Sequence, residues 1–100
     1  MRVYIAGPYT HPDPVVNTHN AIMAGDEVAR LGHIPFIPHL NIQWHIVCPH
    51  DSDFWCEYDL KWLELCDVLL RLPGKSYGAD LEVQYARKRN IRVIYDISEL

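Results

Sequence analysis

Two acidic residues sit where helical spacing turns them toward apolar neighbours. Glu82 follows Ala79 by three positions and precedes Ala86 by four, so it shares a face with Ala79, Val83 and Ala86. A carboxylate on a core-facing stripe costs free energy unless it has partners. In the first turn of a helix the dipole also favours its anion. Those conditions suit a nucleophile. They equally suit a first-turn glutamate of structural value only, and spacing alone does not separate the two. Asp59 lies among Trp55, Trp62, Leu63 and Cys66 on a second helical stripe. Burial there would raise its pKa, which suits a proton donor or a hydrogen bond to a sugar. The plainer reading is an ion pair with Lys61 or Arg71. Two such acids aimed at the same end of one sheet point to glycoside cleavage, where carboxylate pairs are the working groups.

Other residues bear on the same question. Gly74-Lys75-Ser76-Tyr77-Gly78 is a glycine-flanked loop ending at a helix N-terminus, where free N–H groups can hold an anion. It lacks the full phosphate-loop pattern of NTPases, and a bare turn is the commoner reason for two glycines. His39, directly after Pro38, falls at the carboxyl end of a strand and is either a ligand contact or a loop anchor; His11, His19 and His33 read as surface or cap residues. His39, His45, Cys48, His50 and Cys56 are zinc-ligand types. Their spacing matches no strong zinc pattern and Pro49 breaks any helix there, so no metal is expected. Cys56 and Cys66 fall at core-facing helical positions and are not nucleophile candidates.

The elements that must position these groups alternate in type. Val3 to Ala6 is an apolar run stopped by Gly7-Pro8, as in a strand buried on both faces. A helix follows over Asn17 to Leu31, stopped by Gly32. A short strand covers His33 to Ile37, its Pro35 marking a sheet edge. Residues 38 to 50 read as a loop or lid with one helical turn. Asp51-Ser52 caps a helix running to about Cys66. Val68 to Leu72 is a third strand, Ala79 to Lys88 a helix, and Ile91 to Tyr95 a fourth strand. Such alternation argues for a parallel sheet with right-handed crossovers. Ligands then sit beyond the carboxyl ends of the strands, here Gly7 to Thr10, Pro38-His39 and Pro73 to Gly78.

Length and composition bound the rest. One hundred residues, 49% of them hydrophobic, make one domain over residues 1–100 with a core of modest size. A second copy would bury more surface. A net charge of -4 gives no field favouring nucleic acid polymers. Three cysteines fit free thiols in a reducing compartment. The first residues reach Pro8 after too short an apolar run for a signal peptide, and no stretch is long enough to cross a bilayer; a cytoplasmic location is expected.

Five segments carry a resemblance: Tyr4-Ile5-Ala6-Gly7-Pro8, Pro38-His39, Tyr58-Asp59-Leu60-Lys61-Trp62-Leu63, Cys66 to Ser76, and Gly78-Ala79-Asp80-Leu81-Glu82. In this order and at these distances they resemble the nucleoside 2-deoxyribosyltransferase superfamily. The nearest branches are small deoxyribosyltransferase-like domains and the 2'-deoxynucleoside 5'-monophosphate N-hydrolases. The fold expected is α/β, a Rossmann/flavodoxin-like three-layer sandwich with a four- to five-stranded parallel sheet. The resemblance implies Glu82 as the nucleophile at the anomeric carbon, Asp59 as the acid contacting the sugar and assisting the departing base, and Tyr4 near the reacting centre. Ser76, six residues before Glu82, occupies the place of a 5'-phosphate-binding serine and tilts the substrate toward nucleotides. Gly7, Pro8, Tyr9, His39 and Gly78 are expected to line the substrate. The first loop departs from the hydrolases in lacking their Ser-x-Arg phosphate grip, for which Lys75 or Arg71 is the candidate replacement. The lid from Pro49 to Trp55 matches neither characterised branch.

The implied reaction is a retaining displacement with a covalent glycosyl-Glu82 intermediate, resolved by water or a second base, with no cofactor. Trp44, Trp55 and Tyr9 are candidates to stack on the base, with core or lid packing the plainer reading of each. The expected partner is a small nucleoside or nucleotide. Relatives commonly form dimers or larger homo-oligomers. A non-catalytic nucleotide sensor is the rival reading, and it would have no need of Glu82. A structural subunit of a larger complex is a third.

Overall fold

The computed structural model describes residues 1–100. The chain runs β1 (Arg2–Ala6), α1 (Pro14–Arg30), β2 (Ile34–Phe36), a 3-10 turn at Pro38–Leu40, α2 (Asn41–Val47), α3 (Ser52–Glu64), β3 (Val68–Arg71), α4 (Tyr77–Lys88), β4 (Arg92–Ile94) and a last 3-10 turn at Ile97–Glu99. The four strands form one parallel sheet in the order β2-β1-β3-β4. This is the α/β architecture expected, with four strands. Pro35 lies on the edge strand, where its missing N–H leaves no ladder bond unmade.

Several elements differ from their sequence-based bounds. Strand ends move by about one residue, and α4 begins at Tyr77, not Ala79, which puts Glu82 in the second turn and leaves Asp80 as the first-turn acid. α1 begins at Pro14, not Asn17, because Asp13 caps it: its carboxylate accepts from the backbone N–H of Val15 at 2.8 Å and Val16 at 3.3 Å, and Pro14 fills the first helical position. Asn17 is therefore a residue of the first turn. It is buried and donates to the carbonyls of Tyr9 at 2.9 Å and His11 at 3.0 Å, pinning the β1–α1 loop. The segment read as a loop with one turn holds a two-turn helix, α2, between Pro38 and Pro49.

Side-chain alternation along the central strands supplies both faces of the core. Tyr4, Ala6 and Leu69 point to one side, where they pack with Leu63, Cys66, Ala79, Val83 and Ala86 of α3, its following turn and α4. Val3, Ile5, Val68 and Leu70 point to the other, against Ala21 and Val28 of α1 and Ile94. Burial on both faces explains why β1 and β3 read as continuous apolar runs. Strand order reverses between β1 and β3, so the loops leaving their carboxyl ends part around a crevice. Those loops touch. A Cβ on Gly74 would stand 2.8 Å from Pro8 Cγ, and Gly74 has φ +113, a conformation open to glycine.

Candidate active site

The crevice is an open cleft of about 1460 Å³. Its walls are the β1 loop, the cleft-facing sides of α2 and α3, and the β3–α4 loop with the start of α4. Gly7, Pro8, Tyr9, His39, Asp59, Ser76, Gly78 and Glu82 all line it. Tyr4 does not. It is wholly buried on β1 and is joined to the cleft only through Glu82, to whose Oε2 its hydroxyl donates.

Each acid is placed by its helix. On α4, Ala79, Val83 and Ala86 bury themselves against the sheet, and Glu82 lies between that stripe and the cleft. Desolvation by burial pushes its carboxyl up to about 7; the Tyr4 hydrogen bond pulls the other way, the charge of Asp59 adds to the rise, and Arg71 opposes it. Tyr4 itself is held well above its ordinary value by burial and by the Glu82 charge, so it remains a phenol and a donor at neutral pH. On α3, Asp59 makes no ion pair with Lys61 or Arg71. Its Oδ1 accepts from Asn41 Nδ2 of α2 at 2.7 Å. Burial pushes Asp59 up to about 7 as well, against the opposing pull of the Asn41 bond. Two carboxyls, coupled to each other, thus titrate near neutrality in one cleft. That is the condition for one to be ionised while the other still carries a proton.

The remaining positions sort by geometry. Ser76 is the N-cap of α4: its Oγ accepts from the Ala79 N–H at 3.1 Å, which leaves its hydroxyl hydrogen free to donate into the cleft. Arg71, a candidate replacement for the phosphate grip, is buried and already engaged. It donates to the carbonyls of Leu72 and, at 3.0 Å, Gly74, and pairs with Asp80 Oδ1 at 2.9 Å. Its work is to bracket the β3–α4 loop, and of the two candidates only Lys75 lines the cleft. His39 donates through Nε2 to the Pro8 carbonyl at 2.8 Å, and its Nδ1 is buried without a partner. Burial lowers its pKa despite the Pro8 bond, so the ring is neutral and anchors the first loop.

Several expectations change here. Cys56 is exposed and lines the cleft, because only the last turns of α3 reach the core and the first turns overhang the crevice; Cys66 is buried. Trp44 does not line the cleft. Its ring meets Trp55 edge-on at 4.9 Å and Tyr58 at 5.1 Å, in a cluster with His50 and Phe54, and of the proposed base platforms only Tyr9 and Trp55 are in place. No three His, Cys, Asp or Glu side chains converge as a metal site would need. The sequence reading missed Asn41 and the Trp55–His45 bond, in which the indole N–H donates to His45 Nδ1 at 2.9 Å. Asn41, Ile42 and His45 recur at helical spacing on the cleft side of α2, a signal hidden by the flanking prolines.

The fold is that of the 2-deoxyribosyltransferases. The structure superposes on the 2-deoxyribosyltransferase of Bacillus psychrosaccharolyticus with a TM-score of 0.71 and 18% identity, over 98% of this chain and 79% of that one. It superposes on the 2-deoxyribosyltransferase of Leishmania mexicana with a TM-score of 0.70 and 20% identity, covering 93% of this chain but only 61% of the other's length. No curated protein matches the chain in sequence. A family described as a domain of unknown function, DUF7768, matches residues 1–96.

Proposed function

The chain belongs to the DUF7768 family, and from its fold and the geometry of its cleft we propose that it breaks or exchanges the N-glycosidic bond of a nucleoside or nucleoside 5'-monophosphate. One observation carries this reading: Glu82 and Asp59 face one cleft, both raised to about 7, with Tyr4 braced behind Glu82. The two fold neighbours, both 2-deoxyribosyltransferases, support it.

Glu82 is the nucleophile. Tyr4 holds Oε2, so Oε1 attacks C1' as the bond from C1' to the base nitrogen breaks. Asp59, protonated, supplies the proton the leaving base takes up. The ester between Glu82 and the sugar is then resolved by water, or by a second base in transfer. Developing positive charge on the sugar is stabilised by the carboxylate beside it. Gly7, Pro8, Tyr9, His39 and Gly78 shape the pocket, and Tyr9 or Trp55 stacks on the base. The Ser76 hydroxyl, the free N–H groups at the start of α4 and Lys75 receive a 5'-phosphate. The protein works in the cytoplasm as a homodimer or higher homo-oligomer on a small nucleoside or nucleotide.

The test is base release from a panel of nucleosides and their 5'-monophosphates. Glu82→Ala is expected to lower the rate by roughly a thousandfold or more, and Asp59→Asn by about a hundredfold or more. If wild type and Glu82→Ala bind a nucleotide alike and neither releases base, the proposal fails and the protein is a nucleotide sensor.

A further inference from the structure

The lid helix α2 is seven residues long and buries none of them. A helix of that length is marginal on its own, so side chains must hold it. Two hydrogen bonds join it to α3: Asn41 Nδ2 to Asp59 Oδ1 at 2.7 Å, and Trp55 Nε1 to His45 Nδ1 at 2.9 Å. Asn41 and His45 are one turn apart on α2, and Asp59 and Trp55 are one turn apart on α3. That is the ladder of an antiparallel helix pair with its rungs on the cleft side. The second rung is chemically one-directional. His45 Nδ1 accepts from the Trp55 indole N–H and, at 3.2 Å, from the His50 backbone N–H, and neither group can accept in return. Nδ1 of His45 therefore acts as an acceptor in both bonds.

We propose that α2 is the positioning element for Asp59: Asn41 fixes the carboxylate by donating to it, and the Trp55–His45 rung holds Asn41 in register. Asn41 is thus a positioning residue, acting through Asp59. The proposal rests on the glycosidase reading only in so far as it gives Asp59 a catalytic use.

The surroundings of Asp59 make this donor matter. The groups whose charge acts with it are Glu82 on α4, Tyr4 on β1 and Cys56 on its own helix, and none of them brings a positive charge. Lys75 and Lys88 line the cleft but make no ion pair with Asp59. The Asn41 amide is the group that favours the ionised form. Without it, Asp59 keeps its proton to higher pH.

Carbon-13 NMR titration of the Asp59 carboxyl, in the protein without substrate, tests this directly. In Asn41→Leu the midpoint is expected to rise by about one to two pH units, the worth of a hydrogen bond to a charged group. Asn41→Ser serves if the leucine variant fails to fold, with the same direction expected. In Trp55→Phe, which keeps an aromatic ring but loses the indole N–H, the midpoint rises by less. A wild-type midpoint in a folded Asn41 variant overturns the proposal. A rise there with none in Trp55→Phe overturns the register role of the second rung. Base release is measured separately, and its alkaline limb should move up with the Asp59 midpoint. A moved midpoint in a protein that releases no base leaves the positioning intact and sinks only the catalytic reading.

Discussion

At the scale of residues, Glu82 and Asp59 are held in conditions that disfavour their charge, and the folded state bears the cost. Between the ordinary carboxyl values and about 7, the folded protein keeps protons that the unfolded chain has already released. Stability therefore falls as pH rises through that window and levels off above it. The loss summed over the pair is on the order of several kcal/mol, a large share of what holds a domain together. Glu82→Gln and Asp59→Asn remove the charge while leaving an oxygen to accept from Tyr4 and Asn41. Urea denaturation at pH 5 and pH 8 should show both variants more stable than wild type at pH 8, with the difference shrinking at pH 5. A wild type equally stable at both pH values would contradict the shifted carboxyls. The sequence carried the acids themselves, because helical spacing shows which face a residue shares. It did not carry their partners. Asn41 and Asp59 lie 18 residues apart on different helices, and nothing local in either segment announces the other.

Elements were legible where periodicity is strong. α3 began where Asp51 caps it, α4 began two residues before the expected Ala79 because Ser76 caps it, and β3 announced itself as an unbroken apolar run. α2 was not legible: bounded by prolines and carrying no buried residue, it lacks the apolar stripe that periodicity reads. Arg71 was misread for a related reason, since a strand-end arginine looks free until the loop after it is seen folding back onto its guanidinium. That loop depends on Gly74. Gly74→Ala would force a β-carbon into a positive-φ position and against Pro8, and it should cost about 1–3 kcal/mol. Thermal unfolding checks the stability. If the contact also shapes the cleft, nucleotide affinity falls further than the lost stability accounts for.

At the scale of the molecule, the two-sided sheet explains why the fold class was readable. A strand buried on both faces leaves a continuous apolar signature, and strands alternating with helices leave few topologies. Association is less readable, because any contact between copies would lie in exposed faces. α1 carries Val15, Val16, Ile22 and Met23 on its outside, with Val15 78% exposed. The cleft is larger than the roughly 300–1,000 Å³ common for small-molecule sites, as it would be if a second copy narrowed it. Analytical ultracentrifugation is expected to show a dimer or larger, and Ile22→Glu to shift it toward monomer. A wild type that sediments as monomer at all concentrations rules the homo-oligomer out.

Both rims of the sheet bear on how such copies can meet. β2 and β4 are three residues each, and Pro35 leaves the middle of β2 without an N–H to offer. A rim that short makes a poor template for a foreign strand. Copies of this chain are thus steered away from joining rim to rim into a continuous ribbon, the route by which sheet proteins grow into fibres. Crowded chains should sooner associate flank to flank, through helices, in assemblies that close.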